Sequence, residues 1–504
     1  MVREVHERIA RLFFEGTLAE KIDAIPIEMR PKTSASYRCC LYKDRAMIRF
    51  QIMAALGFRV EREEDETRTL ASYVAEALQR RRETIGGPVL TVLEEACHRC
   101  TMQQYFVTDA CQGCLARPCA VGCPKKAISH VNGRAVIDTQ ACIKCGKCMQ
   151  VCPYHAIVNV PIPCVEACPV GAITPLPDGG KHFDWGKCIN CGKCQKACPF
   201  GAVMTRSFML DVMRALQNPA EKVVALVAPA VAGHMGNTAI WSILAGLKRA
   251  GFAEALEVSI GADTTSENEA REFEERFGEG APPQKLSFMT TSCCPAYVSC
   301  IRKHATEIED AVSHTRSPMH YTAKLAKERW PGCTTVFIGP CTAKIHEAQI
   351  DEYTDFALTV IETLSLLRGR GVALDNSQAP PADYECGSFE ARNYPLTAGV
   401  AGAVAAITTA KVVPVLIDGL NVAAVKKLKS FAKNPPAGNL VEVMACEGGC
   451  VAGQGCVAPA QMAQARVKML LGKSKHHPMA RAFQPKAAGA GTEEMKKVPE
   501  LSTK

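Results

Sequence analysis

The chain has 504 residues, 27 of which are cysteine, and a formal net charge of +8. This length exceeds what one hydrophobic core usually serves, so we expect three or more structural units. The N-terminal residues are charged and lack the apolar segment of a secretion signal, which argues against a disulfide framework. The apolar segment 396–417 consists largely of small residues and contains Lys411, so we do not expect a transmembrane helix. These features predict a cytoplasmic protein that does not bind membranes.

The positive charge alone would favour an acidic partner such as nucleic acid. Cysteines that bind metal clusters do so as thiolates, however, and such clusters are anionic. The balance of charge is then less positive than the formal value, so we expect no nucleic-acid binding.

Three kinds of segment follow one another along the chain. Residues 1–90 are predicted to be mainly helical, with amphipathic stretches at 41–56 and 67–82. A cysteine-rich segment, 91–205, comes next. Alternating apolar strands and helices in 206–472 predict a parallel α/β domain, and residues 473–504 have the composition of a basic disordered tail. The strands of the α/β domain are expected at 223–227, 255–260, 285–290, 334–338, 412–417 and 440–445.

Sixteen cysteines lie between residues 97 and 198, and most of them fall in runs that end with proline. Two runs have the form Cys-x2-Cys-x2-Cys-x3-Cys-Pro, at 142–153 and 188–199, and a variant with a longer middle spacing spans 111–124. This is the spacing of bacterial ferredoxins, in which the fourth cysteine binds the other cluster. Structural zinc explains pairs of cysteines but not triplets closed by Cys-Pro, so iron–sulfur clusters are strongly favoured.

Crossed ligation assigns these cysteines to [4Fe-4S] clusters. The first cluster takes Cys111, Cys114, Cys119 and Cys152, and the second takes Cys142, Cys145, Cys148 and Cys123. The third takes Cys188, Cys191 and Cys194, with Cys168 as the most natural partner. Cys97, Cys100, Cys164 and Cys198 then remain for a fourth cluster, although Cys97 and Cys100 are also explained as ordinary buried thiols.

A second group of cysteines follows predicted strands of the α/β domain. Cys293 and Cys294 follow strand 285–290, Cys341 follows strand 334–338, and Cys446 follows strand 440–445. In open α/β sheets ligands bind beyond the carboxyl ends of strands, where helix N-termini offer amides to an anionic group. A single cysteine in such a position would be explained as an inert core thiol. Cysteines that follow three different strands instead predict that these side chains meet at one site.

Three segments around these cysteines resemble a known family. They are Thr291-Ser-Cys-Cys-Pro-Ala-Tyr297, Pro340-Cys-Thr-Ala-Lys344 and Glu442-Val-Met-Ala-Cys-Glu-Gly-Gly-Cys450. Together they resemble the signature segments of [FeFe] hydrogenases, the iron-only hydrogenases, over roughly residues 90–456. The stretch that begins Arg38-Cys-Cys, with the four-cluster layout, is similar to the clostridial group B branch. The resemblance implies an α+β multidomain protein in which a ferredoxin-like [4Fe-4S] domain precedes an α/β catalytic domain with parallel sheets.

The resemblance also implies a cofactor and an activity. The activity is the reversible reduction of protons to H2, with electrons carried by the [4Fe-4S] clusters. The cofactor is the H-cluster, a [4Fe-4S] cubane joined to a diiron unit with carbon monoxide, cyanide and azadithiolate ligands. By motif, Cys294, Cys341, Cys446 and Cys450 hold the cubane, with Cys450 as the bridge. The remaining contacts expected with the cofactor come from Cys293 as proton donor, Lys344, Met444, Pro229, Ala230 and Pro340.

A proton path can also be placed on the sequence. Glu269, Glu272 and Arg276 share one face of a predicted helix, and on the residues alone a solvated helix with Glu–Arg pairs is the simpler interpretation. The resemblance instead assigns them, with Ser313, to the family's proton relay. The expected path runs from Cys293 through Ser313, then Glu269 or a nearby water, then Glu272, to the surface near Arg276.

Partners and alternatives follow from the same resemblance. The implied partners are a ferredoxin or similar electron carrier and the H-cluster maturation proteins. Gly339 and the segment 451–456 depart from the family pattern, so the surroundings of the cofactor are altered. The alternative functions are those of a hydrogen or redox sensor and of a Nar-type iron–sulfur assembly protein without the diiron unit. Because Cys293, Lys344 and the glutamate pair are present, we favour catalysis over the assembly protein, whereas a sensor could use the same residues.

Overall fold

The computed structural model describes residues 1–37, 39–65, 67–80, 86–98, 100, 104–375, 380, 384–472 and 474. The expected disordered tail, 473–504, lies outside the described residues except for residue 474. Within the described part, no helix combines the length and the apolar character needed to cross a membrane.

The N-terminal region is helical, as its amphipathic stretches predict. Its helices are α1 (Val2–Phe14), α2 (Leu18–Lys21), α3 (Ile25–Met29), α4 (Leu41–Ala55) and α5 (Leu70–Gln79). The apolar face of α1, with Val5 and Ile9 fully buried, packs against the helix Val360–Gly369 of the C-terminal half. The contact is close, because a Cβ added to Gly369 would lie 2.5 Å from the Ala10 Cβ. The N-terminal helices therefore share a hydrophobic core with the C-terminal half.

The cysteine-rich segment forms two small lobes. Its elements are β1 (Leu90–Val92), β2 (Tyr105–Val107), α6 (Pro118–Val121), β3 (Ile128–Val131), β4 (Arg134–Ile137), α7 (Lys147–Gln150), β5 (Ile157–Asn159), α8 (Pro163–Glu166), β6 (Ile173–Pro175), β7 (Lys181–Phe183), α9 (Lys193–Ala197) and β8 (Val203–Thr205). The outer lobe, residues 104–160, contains the antiparallel pairs β2–β5 and β3–β4. The inner lobe, residues 161–205, contains the pair β6–β7, and its strand β8 pairs with β1.

The C-terminal half has alternating helices and strands. Its elements are α10 (Met209–Gln217), β9 (Val223–Val227), α11 (Ile240–Arg249), β10 (Glu254–Glu257), α12 (Ser259–Phe277), β11 (Met289–Thr290), α13 (Pro295–His304), α14 (Pro318–Arg329), β12 (Thr334–Ile338), α15 (Thr342–Ile350), β13 (Phe356–Leu358), α16 (Val360–Gly369), α17 (Phe389–Asn393), α18 (Gly399–Ile407), β14 (Pro414–Asp418), α19 (Val422–Ser430), β15 (Leu440–Met444) and α20 (Ala460–Leu471). Short 3-10 helices lie at Val60–Arg62, Pro229–Gly233, Thr306–Ala311 and Cys450–Ala452.

These strands form two parallel sheets. One has the order β10-β9-β12-β13 and the other the order β11-β15-β14. The strands predicted at 223–227 and 334–338 are confirmed at both ends. The strand predicted at 255–260 ends at Glu257, because α12 begins two residues later. The strand predicted at 285–290 is reduced to Met289–Thr290, the two residues that pair with β15.

Candidate functional site

Three of the four thiol groups assigned from the sequence each line a cavity of their own. Cys111, Cys114, Cys119 and Cys152 line one in the outer lobe, and Cys168, Cys188, Cys191 and Cys194 line one in the inner lobe. Cys97, Cys100, Cys164 and Cys198 line a third, between β1 and the inner lobe. The crossed partners Cys152 and Cys168 thus lie where the ferredoxin spacing predicts. The fourth group is also brought together around one cavity.

The remaining group lies in the outer lobe: Cys148 is buried in its core, Cys123 and Cys142 pack against that core, and Cys145 is exposed. Burial raises the pKa of the Tyr105 hydroxyl, and the nearby thiols of Cys148, Cys145 and Cys142 raise it further. Cys123 accepts a hydrogen bond from the Ala127 amide at 3.3 Å. The cysteines of two further Cys-Pro turns accept the same bond, from Ala156 to Cys152 and from Ala172 to Cys168. An amide aimed at each sulfur favours a thiolate, which is the form that binds iron.

The main cavity lies where the ends of both parallel sheets meet. Cys294 precedes the first turn of α13 after β11, and Cys341 precedes that of α15 after β12. Cys446 follows β15, and the left-handed Gly448 and Gly449 then turn the chain back towards Cys450. Two helix N-termini therefore point their amides and positive dipole ends at one place. The cavity and the solvent-open space at its mouth together comprise about 910 Å³ not filled by protein atoms.

All the residues that the sequence assigns to the cofactor line this cavity. They are Cys293, Cys294, Cys341, Cys446, Cys450, Lys344, Met444, Pro229, Ala230 and Pro340. Lys344 is nine-tenths buried, and its Nζ donates to Glu347 Oε2 at 2.6 Å. Burial alone lowers the pKa of Lys344, but Glu347 and the neighbouring thiols raise it above its usual value. The lysine therefore keeps its positive charge inside an otherwise apolar wall.

Cys191 connects the inner lobe to the main cavity. It is one of the four thiols around the inner-lobe cavity and also lines the main cavity. Lys193 donates to the carbonyl of Leu420, and Lys196 donates to the carbonyl of Ala452 at 3.2 Å. The cysteine-rich segment is thus fixed against the C-terminal half by α9, which also carries the predicted ligand Cys194.

A chain of polar groups leads away from Cys293. Glu269 is fully buried on α12, and its Oε1 accepts the Ser292 amide at 3.0 Å. Its Oε2 has no hydrogen-bond partner in the described structure. Burial raises the pKa of Glu269 to about 8, against the effect of the Ser292 amide. Burial also raises the pKa of the Cys293 thiol well above its usual value, and Glu269 adds to that shift.

The outer part of this chain surrounds Glu272. Ser313 Oγ donates to Glu272 Oε2 at 2.7 Å, and Arg276 forms a salt bridge with the same carboxylate. His314 Nδ1 lies 3.0 Å from Glu272 Oε1, and more than half of its side chain is exposed. The expected order, with Ser313 next to Cys293, therefore changes. Ser313 contacts Glu272, whereas Glu269 contacts Ser292, the residue before Cys293.

Comparison with known proteins agrees with this geometry. The model of the iron only hydrogenase large subunit, C-terminal domain, matches residues 221–454, which hold the main cavity. The model of the 4Fe-4S binding domain matches residues 135–158 and 181–204. The chain belongs to the iron-only hydrogenase family.

Three curated relatives of this iron-only hydrogenase family member are each similar over about two thirds of its length. Iron hydrogenase 1 of Clostridium pasteurianum is 27% identical over 391 residues, which cover 66% of this chain and 67% of the relative. The periplasmic [Fe] hydrogenase large subunit of Nitratidesulfovibrio vulgaris is 29% identical, over 63% of this chain and 85% of the relative. The NADP-reducing hydrogenase subunit HndD of Solidesulfovibrio fructosivorans is 24% identical, over 62% of this chain and only 55% of the relative.

The residues of the main cavity fit the cofactor of the iron-only hydrogenases. Burial raises the pKa of all four thiols assigned to the cubane, that of Cys341 to about 11. Such thiols become thiolates when a bound metal supplies positive charge. No three His, Cys, Asp or Glu side chains of the described chain are close enough to hold a single metal ion. The thiols are instead arranged around a space of cluster size.

Three further residues at this iron-only hydrogenase site were not predicted from the sequence. Glu347 holds Lys344, and Tyr394 lines the cavity while its hydroxyl lies 2.8 Å from Ser266 Oγ. His314 completes the polar chain at the surface. Glu347, three residues after Lys344 on a predicted helix, was open to prediction from spacing. The other two contacts join segments far apart in the sequence.

Proposed function

We propose that the chain is an [FeFe] hydrogenase that catalyses the reversible reduction of protons to H2. The observation that carries the proposal is the position of Cys293. Its thiol lines the same cavity as the four thiols assigned to the cubane, and it adjoins Glu269, the inner end of a polar chain that reaches the surface. An iron–sulfur assembly protein has no use for such a chain.

Cys294, Cys341, Cys446 and Cys450 would hold the cubane of an H-cluster, with Cys450 as the bridge to its diiron unit. When bound, the H-cluster supplies the two-electron chemistry that joins two protons into H2. Lys344, kept cationic by Glu347, would hydrogen-bond an anionic ligand of the cluster. Met444, Pro229, Ala230 and Pro340 would pack around it and exclude water.

Protons would reach the cavity through the polar chain in a revised order. Cys293 is held as a neutral thiol by burial, so it carries a proton at the cavity wall. Glu269, with a pKa of about 8, can both hold and release a proton near neutral pH. From Glu269 the path continues to Ser313 and Glu272, and a small movement or a water molecule would bridge the first of these steps.

Electrons would arrive through the [4Fe-4S] clusters. The thiols of the two lobes would hold clusters that supply single-electron transfer, and Cys191, which lines both the inner-lobe cavity and the main cavity, would bring the inner-lobe cluster next to the main cavity. Cys97, Cys100, Cys164 and Cys198 would hold a further cluster beside the same lobe. The four accessory clusters would then form a wire of single-electron carriers.

Infrared spectroscopy tests the proposal. Anaerobically matured protein should show bands of metal-bound carbon monoxide and cyanide and should evolve H2 from a reduced donor. Cys293→Ala should abolish turnover and leave the cubane spectrum intact, whereas Cys300→Ala, a buried thiol further along α13, should retain turnover. Absence of the infrared bands after maturation, or full activity in Cys293→Ala, would contradict the proposal.

A further inference from the structure

The segment 451–456, which directly follows Cys450, forms part of the wall of the main cavity. Its Gly453 lines the cavity, and a Cβ added to this glycine would lie 2.2 Å from the Pro340 carbonyl oxygen. The Gly455 amide donates to the same oxygen at 2.9 Å. Glycine at position 453 therefore lets the backbone pass directly against Pro340 after it leaves Cys450.

The other side of the segment contacts the inner lobe. Lys196 donates to the Ala452 carbonyl at 3.2 Å, and a Cβ added to Gly192 would lie 2.7 Å from Gln454 Cγ. Gly192 follows Cys191, the thiol that lines both the inner-lobe cavity and the main cavity. The segment 451–456 is therefore packed between the two predicted cluster sites.

A thiol and an imidazole hold the end of this segment. Cys456 Sγ lies 3.1 Å from Nε2 of His234, and it donates to the Val451 carbonyl, also at 3.1 Å. The Ala458 amide donates to Nδ1 of His234 at 3.3 Å. Because Nδ1 accepts this bond, the proton of the neutral ring lies on Nε2 and faces the sulfur.

Both side chains of this pair are neutral. Burial lowers the pKa of His234 to about 4, although the Val451 carbonyl opposes that shift. Burial also raises the pKa of the Cys456 thiol to about 12. The two groups therefore do not form the thiolate and imidazolium of a nucleophilic cysteine, and they act through their hydrogen bonds.

The pair joins two stretches of chain that border the main cavity. His234 follows the 3-10 helix Pro229–Gly233, whose first two residues line the cavity. The thiol of Cys456 donates to the carbonyl of Val451, the residue next to Cys450. Hydrogen bonds of this kind, one step removed from a metal ligand, fix the direction in which the ligand points.

We propose that Cys456 and His234 are positioning residues for Cys450. Their contact closes the segment 451–456 into a loop between the cavity wall and the inner lobe, and this loop fixes the thiol that would bridge the cubane and the diiron unit. The inference rests on the proposed function for the role of Cys450, but the closure of the loop does not depend on it.

Two measurements on the full chain with its iron–sulfur clusters test the pair. Hydrogen–deuterium exchange, followed by mass spectrometry, reports how firmly the amides of 451–456 are held, and it needs no diiron unit. The infrared bands of metal-bound carbon monoxide and cyanide, recorded after anaerobic maturation, report the surroundings of the cluster that Cys450 would hold.

The variants remove one partner, the other, or both: Cys456→Ala, His234→Ala and the double variant. Cys456→Ser is the conservative variant, because its hydroxyl can make both hydrogen bonds of the thiol. Cys333→Ala is the matched control. Cys333 is a buried thiol that donates to the Ala326 carbonyl at 3.6 Å, and it does not line the main cavity.

Cys456→Ala and His234→Ala should each speed exchange in 451–456 roughly fivefold or more and shift the infrared bands. H2 turnover should fall roughly tenfold, with iron content unchanged. The double variant should lose no more than either single variant, because both remove the same contact. Cys456→Ser and Cys333→Ala should match the wild type.

Unchanged exchange in Cys456→Ala, faster exchange with unchanged bands, or an equal change in Cys333→Ala would overturn the proposal. A wild-type chain that shows no such bands after maturation contradicts the proposed function. In that case the exchange rates still decide whether the pair holds the segment.

Discussion

Glu269 accepts a hydrogen bond from the Ser292 amide at 3.0 Å, which fixes its carboxyl beside the residue that precedes Cys293. Only one of its two oxygens is satisfied in this way. A fully buried carboxyl with one oxygen that forms no hydrogen bond destabilises the fold, unless the group is protonated or takes part in function. This relationship makes the role of Glu269 testable.

Replacing Glu269 with Gln should stop proton transfer without changing the shape of the site. The amide oxygen can still accept the Ser292 bond, but the side chain cannot exchange a proton. We expect H2 turnover to fall roughly a hundredfold or more, with infrared bands and iron content unchanged. Glu275→Gln, at an exposed position on the same helix, is the matched control. Wild-type turnover in Glu269→Gln would remove Glu269 from the path.

The protonation of Glu269 should itself be visible. Its pKa of about 8 lies well above the value near 4.3 of an unfolded chain. The folded protein therefore holds a proton that the unfolded chain releases, so stability falls as pH rises between these two values. The infrared band of a protonated carboxyl should be present at pH 6 in the wild type and missing from Glu269→Gln. This band should disappear as pH rises, with a midpoint near pH 8. A midpoint near pH 4 would show that burial does not set the pKa of Glu269.

His314 is expected to exchange protons with solvent at the outer end of the path. Its hydrogen bond with Glu272 raises its pKa, while burial and Arg276 oppose that rise. Nearby Asp310 adds to the increase. His314 therefore stabilises the fold below its unfolded pKa of about 6.5, and this contribution is lost as pH rises through the folded value.

The variant His314→Ala should lower turnover most above the unfolded pKa of about 6.5, because the raised pKa keeps more of the wild-type imidazole protonated there. Free imidazole should restore part of the loss. The exposed His182, replaced in the same way, should behave as the wild type. In protein with 13C-labelled histidine, Glu272→Gln should lower the NMR-measured pKa of His314. An unchanged pKa would mean that the pair does not form in solution.

The sequence motifs predicted the residues of this site better than they predicted the contacts between those residues. The first three thiol groups follow from ferredoxin spacing and the fourth from the cysteines that remain, and the convergence of Cys294, Cys341 and Cys446 follows from their positions after strands. The position of His314 could not be predicted, because its contact with Glu272 crosses 42 residues and depends on how Val312 pairs with Thr290. The two-sheet arrangement was also not specified, since strand patterns indicate neither strand order nor the division into sheets.

A fourth accessory cluster can be counted directly. If Cys97, Cys100, Cys164 and Cys198 bind one [4Fe-4S] unit, Cys198→Ser should remove about four iron and four sulfide per chain. Burial raises the pKa of Cys164 to about 11, so without metal this cysteine is a neutral thiol. Cys333→Ser changes a buried thiol outside the cavities and should keep full iron content. Equal iron in both variants would exclude the fourth cluster.

The wall of the main cavity depends on a buried ion pair at its back. Arg392 on α17 donates to both oxygens of Glu257, at the end of β10, with both distances 2.7 Å. The Tyr384 hydroxyl donates to the same carboxylate at 2.5 Å. Because Ala391 and Tyr394 line the cavity on either side of Arg392, this pair positions α17 relative to the sheet.

Glu257→Ala should therefore destabilise the protein by about 3–5 kcal/mol, since it leaves the Arg392 guanidinium buried without a counter-charge. Glu254→Ala, on the same strand, removes a salt bridge between Lys248 and Glu254 that is largely exposed, and should cost less than about 1 kcal/mol. Anaerobic urea unfolding of the cluster-loaded chain compares the two. The double variant Glu257→Leu/Arg392→Met should recover much of the loss, because it removes both charges. If Glu257→Ala were as mild as Glu254→Ala, the pair would not hold α17 in place.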